Sequence, residues 1–234
     1  MVLPLYLALT AAEISSVSPI PDRCAYMACH FSAYTEGICN IPSSLPNGTM
    51  LILNDRLPCQ GHSASLVANQ ISEAAIRLGC ESVLLDFQRP PGPESVTMVS
   101  AILSALNCPA AVTEGFAQGL DCPVFLSPAP LHLPLADYLK PWQGREIWLE
   151  AALCQEEIFI TEKGMSSRAV FPTDRLTGGF FEEHLHCHYT TRTTDDAIAF
   201  TLFDTAESLE RKLELAATLG VTRAVGLWQE LKKT

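Results

Sequence analysis

Two stretches of this chain repeat one grammar. "RLGCESVLLDF" (77–87) and "TLGVTRAVGLW" (218–228) each leave a helix-like segment through a glycine and enter an apolar run. A glycine just past a helix takes the left-handed conformation that ends it. The run that follows is apolar on both faces until its last positions, as in a parallel strand covered by helices. A chain that repeats helix, glycine and buried strand is confined to α/β architectures. Eight runs of the strand kind are legible: "LPLYLALT", "CAYMACHF", "TMLILND", "SVLLDFQ", "CPAAVTEG", "CPVFLSP", "REIWLEA" and "TRAVGLWQ". Apolar spacing predicts helices over 63–79, 94–107 and 205–220. Asp204 or Thr205 caps the last of these, with Glu207 three residues after Asp204 as in a capping box.

Other crossovers look reduced. "FSAYTEGICNIPSSLPNGT" is rich in turn residues, and "PAPLHLPLADYLKP" is rich in proline. Between the seventh and eighth runs lies an excursion, 152–203, with β-like pieces. It holds a hairpin around Lys163-Gly164, then "EEHLHCHYT" and "AIAFTLFDT". There is no tandem repeat. The expectation is one domain over 1–234 with 152–203 as a β-rich insertion within it.

Composition narrows the function classes. Hydrophobic residues make up 48% and charged residues 18%, which suits a packed core and excludes long disorder. The net charge of −11, without basic clusters, argues against nucleic acid and anionic membrane as partners. The nine cysteines are odd in number and form no C-x-x-C, so they read as free thiols in a reducing, cytoplasmic compartment. The start, "MVLPLYLALTAAEISS", has no basic residues before its apolar run and reads as a first strand rather than a signal peptide. No phosphate loop or dinucleotide fingerprint occurs, and no cofactor is expected. The oligomeric state is left open.

Chemistry-bearing residues gather at strand ends. In "ESVLLDFQRP" (81–90), period two puts Val83, Leu85 and Phe87 on one face and Leu84, Asp86 and Gln88 on the other. Asp55, Glu114 and Glu150 close the third, fifth and seventh runs. In the seventh, Glu146, Trp148 and Glu150 share the inward face, with Ile147, Leu149 and Ala151 outward. Two carboxylates across a barrel mouth can act as acid and base, or the same residues serve as solvated rim or ion-pair partners. His184, His186 and His188 share one face of a predicted strand with Glu182. Such a face can hold zinc, or it is the polar side of an exposed hairpin. The second reading is adopted and no metal is expected.

The last stretch, "FDTAESLERKLELAATLGVTRAVGLWQEL", resembles the final helix and strand of family 18 glycoside hydrolases, the chitinase-like (β/α)8 barrels. Ser208, Leu209, Lys212, Gly220, Gly226 and Trp228 carry the likeness. In that family the terminal tryptophan floors the sugar site, which implies the same for Trp228, with Ala224, Gly226 and Trp228 facing the barrel axis and Val225 and Leu227 facing helices. The family's fourth strand reads D-x-x-D-x-D-x-E. Here Glu81, Leu84, Asp86 and Gln88 stand at those positions, so only Asp86 is kept and the general acid is Gln88. The S-x-G-G of the third strand is replaced by "LILNDRLP".

The resemblance implies a reduced, irregular (β/α)8 TIM barrel that binds a carbohydrate or glycan-like ligand at its C-terminal mouth. Asp86, Gln88, Trp228 and Asp55 are the expected ligand-binding residues, and Asp86, Glu114 and Glu150 are the catalytic candidates. An amide cannot deliver a proton, so family-type hydrolysis is not expected. Two alternatives stand beside this: an active glycosidase using other rim carboxylates, and a non-enzymatic scaffold.

Overall fold

The structure, a computed structural model, describes residues 2–170, 176–193 and 198–232. All eight apolar runs form strands: β1 (Leu5–Leu9), β2 (Cys24–Phe31), β4 (Met50–Asn54), β5 (Ser82–Asp86), β6 (Ala110–Thr113), β7 (Val124–Leu126), β8 (Ile147–Glu150) and β14 (Val221–Leu227). A short β3 (Ile38–Cys39) runs antiparallel beside β2. The eight pair in parallel in the ring β1-β2-β4-β5-β6-β7-β8-β14, and β14 closes on β1 through Leu5–Ala224 to Ala8–Leu227. The result is a closed (β/α)8-type barrel, which leaves no open edge on the ring.

The expected helices are present as α2 (Ala64–Leu78), α3 (Pro93–Ala105) and α5 (Ala206–Thr218). Ser63 caps α2, and Gly79 ends it at φ +64°. Thr205, rather than Asp204, caps α5, with Ser208 at the third helical position completing the box. Three short helices lie outside those expectations: α1 (Ala11–Ser16), α4 (Leu135–Leu139) and α6 (Trp228–Leu231). The β2–β4 and β6–β7 crossovers carry no α-helix, so the barrel is irregular as expected.

Two cores follow from strand alternation. Outward residues such as Val83, Leu85, Phe87, Ile147 and Leu149 pack beneath the helices. Inward residues, among them Tyr6, Met50, Ile52, Leu84, Phe125, Trp148 and Val225, fill the barrel. Trp148 is fully buried there.

The insertion is an antiparallel sheet in the order β10-β9-β13-β12-β11. Its strands are β9 (Gln155–Thr161), β10 (Gly164–Val170), β11 (Phe180–Glu182), β12 (Cys187–Thr193) and β13 (Ile198–Phe203). It is tied to the barrel where α5 begins. The Asp204 carboxylate accepts from Lys212 Nζ at 2.7 Å, Ser208 Oγ at 3.0 Å and the Cys154 amide at 3.3 Å. Lys212 and Ser208 thus hold the insertion's return to the barrel.

The histidine strand is a correction. Residues 183–186 form the turn between β11 and β12, so His184 and His186 lie in the turn and only His188 is on a strand. His186 adopts φ +50°, a left-handed conformation with no glycine to announce it. His188 packs between Phe181 and Phe203. No cluster of metal-ligating side chains forms among the described residues. No helix among them is long and apolar enough to cross a membrane. All nine cysteines are unpaired.

Candidate functional site

The C-terminal ends of the barrel strands surround an open cavity of about 560 Å³. Asp86 enters it from the end of β5 and Glu150 from the end of β8. Period two dictates both positions, because Leu84 and Trp148 lie below them inside the barrel. Gln88 lines the same cavity, and its Nε2 donates to Asp86 Oδ1 at 2.5 Å.

Burial raises the Asp86 carboxyl above its ordinary value; the Gln88 hydrogen bond opposes this, and the nearby charge of Asp55 adds to it. Glu150 is pushed from the usual carboxylate range up to about 7, first by burial, then by the charges of Asp86 and Glu230. No ion pair reaches Asp86 or Glu150 among the described residues. The two therefore separate into an acid that ionises first, Asp86, and one that keeps its proton longer, Glu150.

Other sequence candidates take other places. Asp55 is buried, and its carboxylate accepts from the backbone amides of Gln88 and Arg89, both at 2.9 Å. It fixes the loop that carries Gln88 and does not line the cavity. Glu114 begins a 3-10 turn, Glu114–Phe116, outside the cavity lining. Its charge and that of Glu150 act with burial to push Tyr138 up to about 12, and the Tyr138 hydroxyl donates to the Ser127 carbonyl.

Trp228 is a correction. It opens α6 and lines no part of the mouth; Leu227 stands there instead. The cause is a bulge in β14. Val221 pairs with Ile147 and Arg223 with Trp148, so Thr222 is an extra residue. One extra residue inverts the alternation beyond it. Arg223, Val225 and Leu227 turn inward, and Ala224 packs outward. A Cβ on Gly226 would meet the Ala151 carbonyl oxygen at 2.4 Å, so that site admits only glycine.

A second bulge brings in a residue the sequence did not point to. The β2–β4 register shifts between Tyr26 and Cys29. Ala25 lies in the inner core, Cys29 and Phe31 lie in the outer one, and His30 reaches the mouth. Asn54 at the end of β4 also lines it, held by its Nδ2 donating to the Met27 carbonyl at 3.1 Å. Asn54 was within reach of alternation in "LILND"; His30 was not, because nothing in "CAYMACHF" marks a bulge.

No described residue of the insertion lines the mouth. Beyond Glu150 it adjoins a larger groove of about 890 Å³ between the barrel rim and the insertion sheet. Its walls include Pro128, Leu131, Leu153, Val170 and Phe203. His132 and Glu156 face each other there at 2.5 Å.

No protein-family model matches the sequence, and no curated protein matches it. Solved structures match the fold. A chitinase from Chromobacterium violaceum aligns with a TM-score of 0.56 and 10% identity over 99% of this chain and 98% of that one. A family 18 N-acetylglucosaminidase from Paenibacillus barengoltzii aligns at 0.54 and 8% over 96% and 94%. The fold is that of a chitinase-like (β/α)8 barrel. The spore cortex-lytic enzyme SleL of Bacillus cereus aligns at 0.51 and 12%, over 96% of this chain and 70% of that one. In this chitinase-like barrel the motif residues Ser208 and Lys212 have a structural task, anchoring Asp204. The fourth barrel strand presents an acid and an amide where the family pattern has two acids.

Proposed function

We propose that the barrel mouth binds a carbohydrate or glycan-like ligand, and that hydrolysis through a fourth-strand general acid does not occur. The observation that carries this reading is the open cavity into which Asp86 projects with the Gln88 amide bonded to it. Carboxylate, carboxamide and imidazole side chains around an apolar floor are the polar and apolar surfaces that a pyranose requires. Gln88 holds Asp86 in place and favours its charged form, but an amide has no proton to give. The likeness to chitinase and N-acetylglucosaminidase folds supports a glycan as ligand. The chain acts as one barrel domain over 1–234 with 152–203 inserted, in a reducing cytoplasmic setting; the nine unpaired thiols support the latter.

Calorimetric titration with N-acetylglucosamine oligomers and a broader glycan screen tests the reading. Binding is expected, and Asp86→Ala or Gln88→Ala is expected to weaken it about tenfold or more, as loss of a hydrogen bond to a charged group does. Binding that neither substitution changes would place the ligand elsewhere.

A further inference from the structure

Glu150 borders both cavities, the polar mouth and the apolar groove beneath the insertion. We propose that Asp86 and Glu150 form a catalytic base and acid that cleave a glycoside whose sugar lies in the mouth and whose apolar leaving group lies in the groove. The proposal rests on the reading of the mouth as a sugar site.

Placement comes first. Asp86 and Glu150 end the fourth and seventh strands of an eight-strand ring, so their side chains approach from nearly opposite sides of the mouth. Both line one cavity of about 560 Å³, a volume within the range of small-ligand sites. The charge state agrees. The groups that face Glu150 are Asp86 from β5, Glu230 from α6, Tyr138 from α4 and Cys154 beyond β8, and none is a cation. Arg56 and His30 also line the mouth, but no ion pair joins either to Glu150 among the described residues, and burial pushes Glu150 up to about 7. Burial raises the Asp86 carboxyl above its ordinary value, and the hydrogen bond from the Gln88 amide opposes that rise. A cationic sugar transition state between them would be stabilised by the anion and completed by the proton.

The step balances with one water. Asp86 takes a proton from water as the water oxygen bonds to the anomeric carbon. The bond from that carbon to the leaving oxygen breaks, its electron pair goes to the oxygen, and Glu150 gives that oxygen its proton. Asp86 is then protonated and Glu150 charged, and exchange with solvent resets the pair. The leaving group departs on the side of Glu150, where Pro128, Leu131, Leu153 and Phe203 line the groove. An aliphatic chain fits these apolar walls, which lie beside a polar edge that includes His132, Gln155 and Glu156.

The test uses octyl and methyl glycosides of N-acetylglucosamine, glucose and galactose with the full chain. Binding is followed by calorimetry and octanol or methanol release by gas chromatography. At least one octyl glycoside is expected to bind and to release octanol. Glu150→Gln and Asp86→Asn are each expected to lower release at least 100-fold, with glycoside affinity under Glu150→Gln kept within a few fold. The rate is expected to fall above about pH 7, where Glu150 loses its proton. Binding without release would overturn the catalytic pair and leave the sugar site standing. No binding by any of the glycosides would overturn both. Release unchanged by Glu150→Gln would remove Glu150 as the acid. Methyl glycosides cleaved as readily as octyl ones would overturn the assignment of the groove.

Discussion

The fourth and seventh barrel strands each carry an acid at both ends, and the two ends treat their acids differently. At the N-terminal end Glu81 accepts from the Tyr6 hydroxyl and pairs with Arg223 at 3.3 Å. Glu146 accepts from Trp148 Nε1 at 2.9 Å and Thr222 Oγ1 at 3.0 Å. Arg223 also lies over the rings of Trp148 and Tyr6, at 4.8 and 5.8 Å. At the C-terminal end, among the described residues, Asp86 is bonded to the Gln88 amide and no ion pair reaches Glu150. The satisfied acids are the exposed ones, and the unsatisfied acids are the more buried ones. Stability alone would favour the reverse, because a desolvated charge gains most from a partner. One end closes the barrel, and the other stores unfavourable charge facing a cavity, as binding and catalytic sites do.

Substitutions can break this contrast in order of size. Trp148→Ala removes the largest fully buried side chain and the roof over Arg223, and is expected to destabilise the fold by about 3–5 kcal/mol in urea unfolding. Glu150→Gln is expected to do the opposite. The folded value of about 7 lies above the ordinary glutamate value of 4.5, so the native state binds the proton more tightly than the unfolded chain. Wild-type stability therefore falls as pH rises through that window, and the loss is complete above it. At pH 8 Glu150→Gln is expected to gain up to about 3 kcal/mol, fading to nothing below pH 4.5, as read from denaturation midpoints. Arg223→Ala is expected to lose about 1–2 kcal/mol, a smaller effect because Glu81 remains open to water. If Arg223→Ala and Glu150→Gln shifted stability in the same direction, the two ends would not differ as described.

Most of the barrel was legible, and the reason is physical. Eight buried strands write themselves as apolar runs, and Gly79 and Gly220 mark where helices stop. Asp86 and Glu150 reach the mouth where period two places them, because β5 and β8 alternate without interruption. The failures lie where a backbone irregularity leaves no trace in residue type. Thr222 in β14 and the shift in β2 each invert the faces beyond them, which moved Trp228 out of the mouth and His30 into it. The turn at 183–186 has no glycine or proline, so "EEHLHCHYT" read as continuous strand. One miss was avoidable. Thr10 and Glu13 form a capping box that announces α1, a signal present in "TAAE". Asp55 was legible as a strand-end acid but not as the acceptor of two loop amides, since partners far along the chain are invisible to spacing.

The most direct test of the mouth is a carbon-13 NMR titration of its side-chain carboxyls, in the native chain and in Asp86→Asn. The account predicts that Glu150 titrates near pH 7 and that Asp86→Asn moves it toward the ordinary glutamate range, because one of the charges that raise it is gone. A Glu150 that titrates at the ordinary value and ignores Asp86→Asn would contradict a coupled pair of uncompensated acids at the barrel mouth.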